Sequence, residues 1–337
     1  MYVTIRDVAV AAGVSIATAS RALSGEPNVS AASLRAVLSA SERLGYRTNT
    51  VARSLRTRST GTVGMVVPRI SNPYFPRLVE AVERQLSTAG RELLLCDSQN
   101  DPDLEASRVD ALLDRRVDGL IFIASDSRRS AATAARAQRS VRIVLMDRSV
   151  TGVRLDFVGV DNALGVRMVV AHLRQAGCAS FGFVSSRTVD SSARARLSAY
   201  RRAVGRFDKD SAARTLLGDY SVEWGREATR TLMSAGPLPD ALVCGADVVA
   251  LGVNAELTEA GVSVPDDVAV TGFDDIAFAS VSTPPLTTLR QPTDEIGAAG
   301  VRLLTGRIDG ADGPAVIESL PPELVVRGSS SRRRVAG

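Results

Sequence analysis

Arg21 carries the most specific chemistry near the start of the chain. Its guanidinium presents paired donors of the kind that recognise guanine O6 and N7. It shares the outward side of a short segment with Ile16, Ala17 and Thr18. Such a side chain reads a base edge only when a rigid element carries it into the major groove. The residues around it supply that element. In TIRDVAVAAGVSIATASRAL (4–23), Ile5, Val8, Ala9 and Ala12 recur at helical spacing, and Val14, Ala19 and Leu23 give a second short helix its buried side. Thr4 and Ser15 precede the two helices and are suited to cap them. Gly13 permits the turn between them, because glycine takes positive φ without steric cost. The pattern is a helix-turn-helix whose second helix is shaped for a DNA major groove.

A third helix is predicted between Ser30, a candidate cap, and Gly45, with Leu34, Val37, Leu38, Ser41 and Leu44 on its spacing. Three such helices close only a mini-core. Residues 1–58 hold eight arginines against three acidic residues, a net of +5, while the whole chain is +4, so residues 59–337 sum to −1. The positive excess is confined to the helix-turn-helix region, as a polyanionic partner requires. Asn49 can then cap a helix from Thr50 to Arg56, with Val51, Ala52 and Leu55 on one face. A helix that short is unstable alone in water and orders only when packed.

The rest of the inventory excludes more than it suggests. The 337 residues allow two or three domains, and a 45% hydrophobic content supports a sizeable core. No apolar run approaches the ~18 residues of a membrane span. The N-terminal MYVTIRDV lacks the basic-then-apolar pattern of a signal peptide, so a cytoplasmic location is expected. Cys96, Cys178 and Cys244 are far apart, show no zinc spacing and read as reduced core thiols. His172 is the single histidine and sits in the helical MVVAHLRQAG, where it reads as half-buried and structural. A catalytic Ser-His-Asp set would have to use it, and no multi-histidine metal site can be built. No metal, no cofactor and no enzymatic activity are expected. Lys209 is the single lysine, and the excess of arginine and alanine reads as compositional bias without mechanism.

After the polar linker TRST (57–60), β-rich runs alternate with helices. The runs are GTVGMVV (61–67), ELLLCD (92–97), GLIFIA (119–124), RIVLMD (142–147), FVGV (157–160), SFGFVS (180–185), ALVCGA (241–246) and VAVTGFD (268–274). Apolar runs flanked by helices indicate buried parallel strands of an α/β fold, with ligands at the carboxyl ends of the strands. Asp274 and Asp275 follow the last run. Neighbouring carboxylates seldom point at one bond, and no nucleophile accompanies them, which argues against acid–base catalysis.

VTIRDVAVAAGVSIATASRAL (3–23), VS (29–30), LGY (44–46) and NTVARSL (49–55) together resemble the DNA-binding headpiece of the LacI (lactose and purine repressor) family. NPYFPRLVEAVE (72–83), RRVDGLI (115–121), MDRSV (146–150), VGVDNALG (158–165), GFDDI (272–276), PPLTTLRQP (284–292) and ELVVRGSS (323–330) resemble its core, so the resemblance covers nearly the whole chain. Two positions depart from it. Cys178 follows Gly177 where the family usually has histidine, and Ala246 precedes Asp247 where it usually has asparagine. The second departure puts one polar contact to a ligand in doubt.

The resemblance implies an N-terminal all-α helix-turn-helix headpiece (1–48), a hinge helix and linker (49–60), and an α/β, two-lobed, periplasmic-binding-protein-like core (61–337) for ligand binding and dimerisation. It places Ile16, Ala17 and Arg21 at base-reading positions and Leu55 as an apolar wedge in the minor groove. Thr4, Ser15, Tyr46 and Asn49 suit phosphate contacts. It lines an effector cleft with Tyr74, Phe75 and Asp147 from the first lobe and Arg196, Tyr220 and Asp274 from the second. Carboxylates and an arginine against aromatic faces suit a polyhydroxylated ligand, a sugar or related polyol. For Asp147 an ion pair with Arg148 is the alternative role, and for Asp275 capping of its loop.

The implied function is a ligand-responsive homodimeric regulator, a repressor of carbohydrate-utilisation genes released from a palindromic double-stranded operator by its effector. The stretch after ELVVRGSS shows no heptad helix, which favours a dimer over a tetramer. A solute-binding protein of a transporter would use the same core but needs export, and an enzyme on this scaffold finds no support in the residue inventory.

Overall fold

A computed structural model describes residues 3–23, 28–46 and 59–331 of the chain. The chain divides into two compact units, Met1–Thr60 and Gly61–Gly337.

The first unit holds α1 (Ile5–Ala11), α2 (Ile16–Leu23) and α3 (Ala31–Leu44). Its core is Val8, Ala9, Ala19, Ala22, Val37 and Ala40, with Val14, Leu34, Leu44 and Tyr46 packed around it. Four of those six are alanines, and small side chains let short helices approach closely. Gly13, at φ +65°, makes the turn between α1 and α2. Asp7 accepts from the Thr4 N–H at 2.8 Å and the Thr4 hydroxyl at 2.7 Å, which closes the start of α1 and holds the Asp7 carboxyl below its usual range. The Ser15 hydroxyl accepts from the Thr18 N–H at 3.1 Å, and the Ser30 hydroxyl from the Ser33 N–H at 3.2 Å. One expectation fails: Leu38 is 50% exposed, and Ala40 takes the buried position beside Val37. Successive helical residues lie 100° apart, so a narrow inward stripe through Val37 and Ala40 leaves Leu38 outside. The helix expected over 50–56, with Asn49 and Leu55, lies outside the described residues.

The second unit contains two parallel sheets. The first runs β11-β5-β4-β3-β1-β2, built from β1 (Thr62–Val67), β2 (Glu92–Asp97), β3 (Gly119–Phe122), β4 (Arg142–Met146), β5 (Asp156–Val160) and β11 (Ile317–Leu320). The second runs β7-β6-β8-β9, built from β6 (Phe181–Ser186), β7 (Thr215–Gly218), β8 (Ala241–Cys244) and β9 (Ala269–Thr271). A short antiparallel pair joins β10 (Thr288–Arg290) to β12 (Glu323–Val325). Central strands such as β3, β6 and β8 are buried along their whole length, which is why their sequences read as continuous apolar runs.

Helices α4 (Tyr74–Thr88), α5 (Pro102–Asp114), α6 (Ser130–Ala137) and α12 (Thr293–Ile308) cover the first sheet. Helices α7 (Asn162–Gln175), α8 (Ser191–Val204), α9 (Val222–Ala235), α10 (Asp247–Glu259) and the short α11 (Ala277–Val281) belong to the second lobe. The chain therefore passes between lobes three times: after β5, after β10 and after β11. α9 and α10 meet backbone to backbone, because a Cβ on Gly225 would stand 2.2 Å from the Val249 carbonyl oxygen and one on Gly252 would stand 2.1 Å from that of Val222. His172 is half-buried, and its Nε2 lies 2.7 Å from the Ser330 hydroxyl, a structural tie between α7 and the segment after β12.

Candidate functional site

In the first unit the reading face stands clear of the mini-core. Ile16 is 45% exposed, and Ala17 and Arg21 are exposed on the same side of α2. The Arg21 Nε–H reaches the Ala17 carbonyl at 3.4 Å, a long bond that does not use its terminal nitrogens. The Thr4 and Ser15 side chains are engaged in helix capping, and the Tyr46 ring packs on the mini-core. All three side chains are thus held by contacts within the headpiece itself. Asn49 and Leu55 fall outside the described residues.

In the second unit, Tyr74, Phe75, Asp147, Arg196, Tyr220 and Asp274 line a single cavity together with Asn72, Arg148, Ser192 and Gln291. Most sit just past the ends of strands: Asn72 to Phe75 beyond β1, Asp147 and Arg148 beyond β4, Tyr220 beyond β7 and Asp274 beyond β9 of the parallel sheets, and Gln291 beyond β10 of the antiparallel pair. Ser192 and Arg196 lie on the first turns of α8. The Tyr74 hydroxyl is 3.1 Å from both Asp147 Oδ1 and Gln291 Oε1, so its one proton serves either acceptor. Gln291 in turn donates from Nε2 to Asp274 Oδ1 at 2.7 Å. One chain of bonds thus crosses from the first lobe to the second.

Arg196 is fixed from three sides. Its Nε donates to Asn162 Oδ1 and its Nη1 to the Gly245 carbonyl, each at 2.6 Å, while its guanidinium lies 3.6 Å from the centre of the Phe273 ring. Arg148 is held loosely. Its Nε is 3.7 Å from Asp147 and 3.9 Å from Asp190, makes no hydrogen bond, and is flanked by the rings of Phe75 and Tyr220. Asp147 is therefore more than a salt-bridge partner of Arg148. It bonds across the cavity through Tyr74. Asp275, by contrast, is structural: its carboxylate takes Arg290 and Arg327 at 2.7 Å each, and its carbonyl takes Arg77 from the first lobe. The Ala246 backbone precedes α10 without any side-chain cap, and Asp247 behind it is spent on the Ile276 N–H and the Thr288 hydroxyl.

Burial pushes the Asp147 carboxyl up against the opposing pull of Arg148 and Arg196. It pushes Asp274 up to about 8, with Arg196 opposing and Asp247 and Asp147 adding to the rise. Both aspartates also hold positive φ, +61° at Asp147 and +123° at Asp274. Backbone strain of this kind persists where surrounding structure imposes it, and it gathers at binding sites. The cavity volume is about 20 Å³, room for about one water and far below a hexose.

A carboxyl whose folded pKa is raised is stabilised when protonated. Its favourable contribution is complete below the unfolded value near 3.9 and is lost as pH rises through the folded value. Asp274→Asn keeps an acceptor for Gln291 and removes that loss. The variant should melt with the native chain near pH 4 and increasingly above it toward pH 8, by roughly 2–4 °C for each 1 kcal/mol. Thermal melts across that range check this, and a gap that shrank with rising pH would contradict it.

Among the described residues no group of three or more His, Cys, Asp or Glu could hold a metal ion, and no helix is long and apolar enough to cross a membrane. Sequence reasoning missed Asn72, Arg148, Ser192 and Gln291 as lining residues. The signal for three of them was adjacency, since Asn72 and Arg148 flank Tyr74 and Asp147, and Ser192 lies one helical turn before Arg196. Gln291 carried no signal of its own.

Residues 4–49 match the family model described as bacterial regulatory proteins, lacI family, and residues 170–330 match a periplasmic binding protein-like domain. The HTH-type transcriptional repressor PurR of Mannheimia succiniciproducens is 33% identical over 328 residues, covering 97% of this chain and 98% of that protein. The ribose operon repressor of Escherichia coli K12 is also 33% identical over 328 residues, covering 97% and 99%. The crystal structure of the lac repressor dimer bound to operator and the anti-inducer ONPF superposes with a TM-score of 0.88 at 26% identity, covering 98% of this chain and 99% of that one. The complex of the transcriptional regulator CelR with cellobiose gives a TM-score of 0.74 at 28% identity over 97% and 99%.

Proposed function

Because the chain belongs to the LacI family of bacterial regulatory proteins, we propose that it is a ligand-responsive, DNA-binding transcriptional repressor whose effector is a sugar or related polyol. The observation that carries the reading is the assembly of Tyr74, Phe75, Asp147, Arg196, Tyr220 and Asp274, drawn from both lobes, around one cavity, in a chain that begins with an exposed helix-turn-helix face. Residues 1–48 serve as headpiece, 49–60 as hinge and linker, and 61–337 as the ligand-binding and dimerisation core. The protein works as a cytoplasmic homodimer on a two-fold operator, without enzymatic activity.

The core chemistry supports a polyol. Asp147 and Asp274 are acceptors for hydroxyl pairs, Arg196 is a rigid donor fork, and Arg148 offers an Nε–H that no protein group takes. Phe75 and Tyr220 present ring faces to an apolar sugar face. A cavity of about 20 Å³ admits no sugar, so ligand binding requires the lobes to part about the three crossing segments. Such a ligand shifts operator affinity only through its differential affinity for the two arrangements. Leu55, as a wedge whose short helix needs a partner, is the part of the chain on which that shift acts.

The test is to select a binding site from random duplexes with the full chain, then measure operator affinity by fluorescence anisotropy across a panel of sugars, polyols and nucleobases. A two-fold site released by one sugar is expected. A nucleobase that tightened binding would move the chain to a co-repressor reading, and no selected site at all would remove the DNA-binding one. Arg21→Ala should weaken the selected operator by roughly 1–3 kcal/mol and relax preference at one position of each half-site. Equal weakening on every sequence would make Arg21 a phosphate contact.

A further inference from the structure

The outer face of α8 carries a second feature that the cleft does not use. Arg194, Ser198, Arg201 and Arg202 line a groove of about 440 Å³ with Leu197 as its buried floor and Thr188 as its wall. Ser198 lies one turn after Arg194 and one turn before Arg202, so the arginines project toward the groove from both ends. Arg194 and Arg201 are separated by roughly 10 Å along the axis, within the combined reach of two arginine side chains. Arg202 donates from Nη1 to the Ser198 hydroxyl at 2.5 Å, which ties it to another lining residue. None of the three arginines forms an ion pair among the described residues. From 191 to 207 the sequence contains no acidic residue at all. The nearest acids are engaged elsewhere, Asp190 in capping α8 and Asp208 in a two-pronged pair with Arg214.

This charge is placed against local physics. Residues 59–337 have a net charge of −1, so the patch is no reflection of a basic core. Arg201 and Arg202 suit the carboxyl end of a helix, but Arg194 stands in the first turn, where the helix dipole disfavours a cation. Three unpaired cations around one groove also raise its local positive potential. An anion seated between them relieves both.

We propose that this groove binds a compact polyanionic metabolite, one carrying two phosphate or carboxylate groups. Its volume matches small-ligand sites, and its planar donor forks match phosphate and carboxylate oxygens. A recess of this size suits a small molecule better than a duplex backbone, whose phosphates line a convex surface. The site is separate from the cleft, although α8 also carries Ser192 and Arg196.

Isothermal titration of the full chain with inorganic pyrophosphate at low ionic strength tests it. One saturable site per chain is expected, weakened about tenfold or more in Arg194→Gln/Arg201→Gln/Arg202→Gln, because charge-assisted bonds are lost. A control triple, Arg84→Gln/Arg136→Gln/Arg302→Gln, removes the same charge from exposed positions of the first lobe and should leave binding unchanged. Equal weakening in both triples, or no binding to the native chain, overturns the proposal. So does binding that survives the α8 triple and disappears in Arg148→Gln, which would put the anion in the cleft. A short non-operator duplex that competes through the same three arginines while pyrophosphate does not bind would assign the face to nucleic acid and likewise overturn it.

Discussion

Arg196→Met should leave the chain able to bind its operator and unable to respond to its ligand. Arg196 is the one cation of the cleft that is rigidly fixed, with two bonds of 2.6 Å and the Phe273 ring beneath it. Its guanidinium opposes the burial that raises the carboxyl pKa of both Asp147 and Asp274, so without it both groups would hold their protons to still higher pH. A methionine fills part of the same space beside Phe273 but leaves the Gly245 carbonyl and the Asn162 side chain without their donor and the two aspartates without a nearby cation. Loss of one partner of a buried charged group destabilises by about 3–5 kcal/mol. The measurement therefore has two parts, a melt to confirm folding at the assay temperature and an operator titration with and without ligand. Arg196→Lys separates charge from geometry: it restores the cation but not the fork, and it should recover stability better than ligand response. A methionine variant that is still released at the native ligand concentration would remove Arg196 from the effector site.

Gly252→Ala should be among the most damaging single-methyl additions in the second lobe. An alanine in a helix interior ordinarily gains about 1 kcal/mol over glycine. Here the added Cβ would stand 2.1 Å from the Val222 carbonyl oxygen, with the Gly225 Cα at 3.0 Å. Both obstacles are backbone, so no side chain can turn away. The helices must separate, and the apolar surface between α9 and α10 opens with them. Overpacking of this kind costs typically 1–3 kcal/mol and more where the backbone is fixed, which outweighs the propensity gain. A fall in melting temperature of several degrees is expected, with α2 and its operator face unaffected. Gly225→Ala meets the Val249 carbonyl oxygen at 2.2 Å and should behave alike. A melting temperature at or above the native value would show that the crossing can relax.

The legibility of the chain followed apolar sequence more than burial. The run ELLLCD coincides with β2, and the runs for β1, β3, β4, β5, β6, β8 and β9 fall within a few residues of the strands, because each is an apolar run between helices. Against the expectation of a buried strand, β2 is a half-exposed sheet edge with Leu94 and Leu95 38% and 41% exposed. β7, β10, β11 and β12 were not read as strands. They are three or four residues long, and in β11 exposed residues alternate with half-buried ones. Such short edge segments lack the continuous apolar character that announces a central strand. The six proposed effector residues were carried by resemblance, and the structure places all six around one cavity. The additional lining residue Gln291 was beyond reach, since glutamine in a connecting segment has no distinguishing chemistry until the fold brings it between Tyr74 and Asp274. Leu38 shows the reverse error. Its type and spacing both said core, and only the narrowness of the actual stripe put it outside.

The threefold passage of the chain between lobes has a consequence for how the molecule is made. The first lobe begins with β1 and has five strands by Val160, yet its edge strand β11 and its covering helix α12 belong to residues after 292. A nascent chain therefore waits through the whole of the second lobe before the first can close. At ribosomal speeds of about 5–20 residues per second, that wait is on the order of ten seconds. Throughout it, the apolar faces of β3 and β4 that α12 covers stand open to other chains. The three-helix unit, already complete at residue 46, has no such delay. Slower growth or added chaperone should thus raise the soluble yield of the full chain and leave that of its first unit untouched.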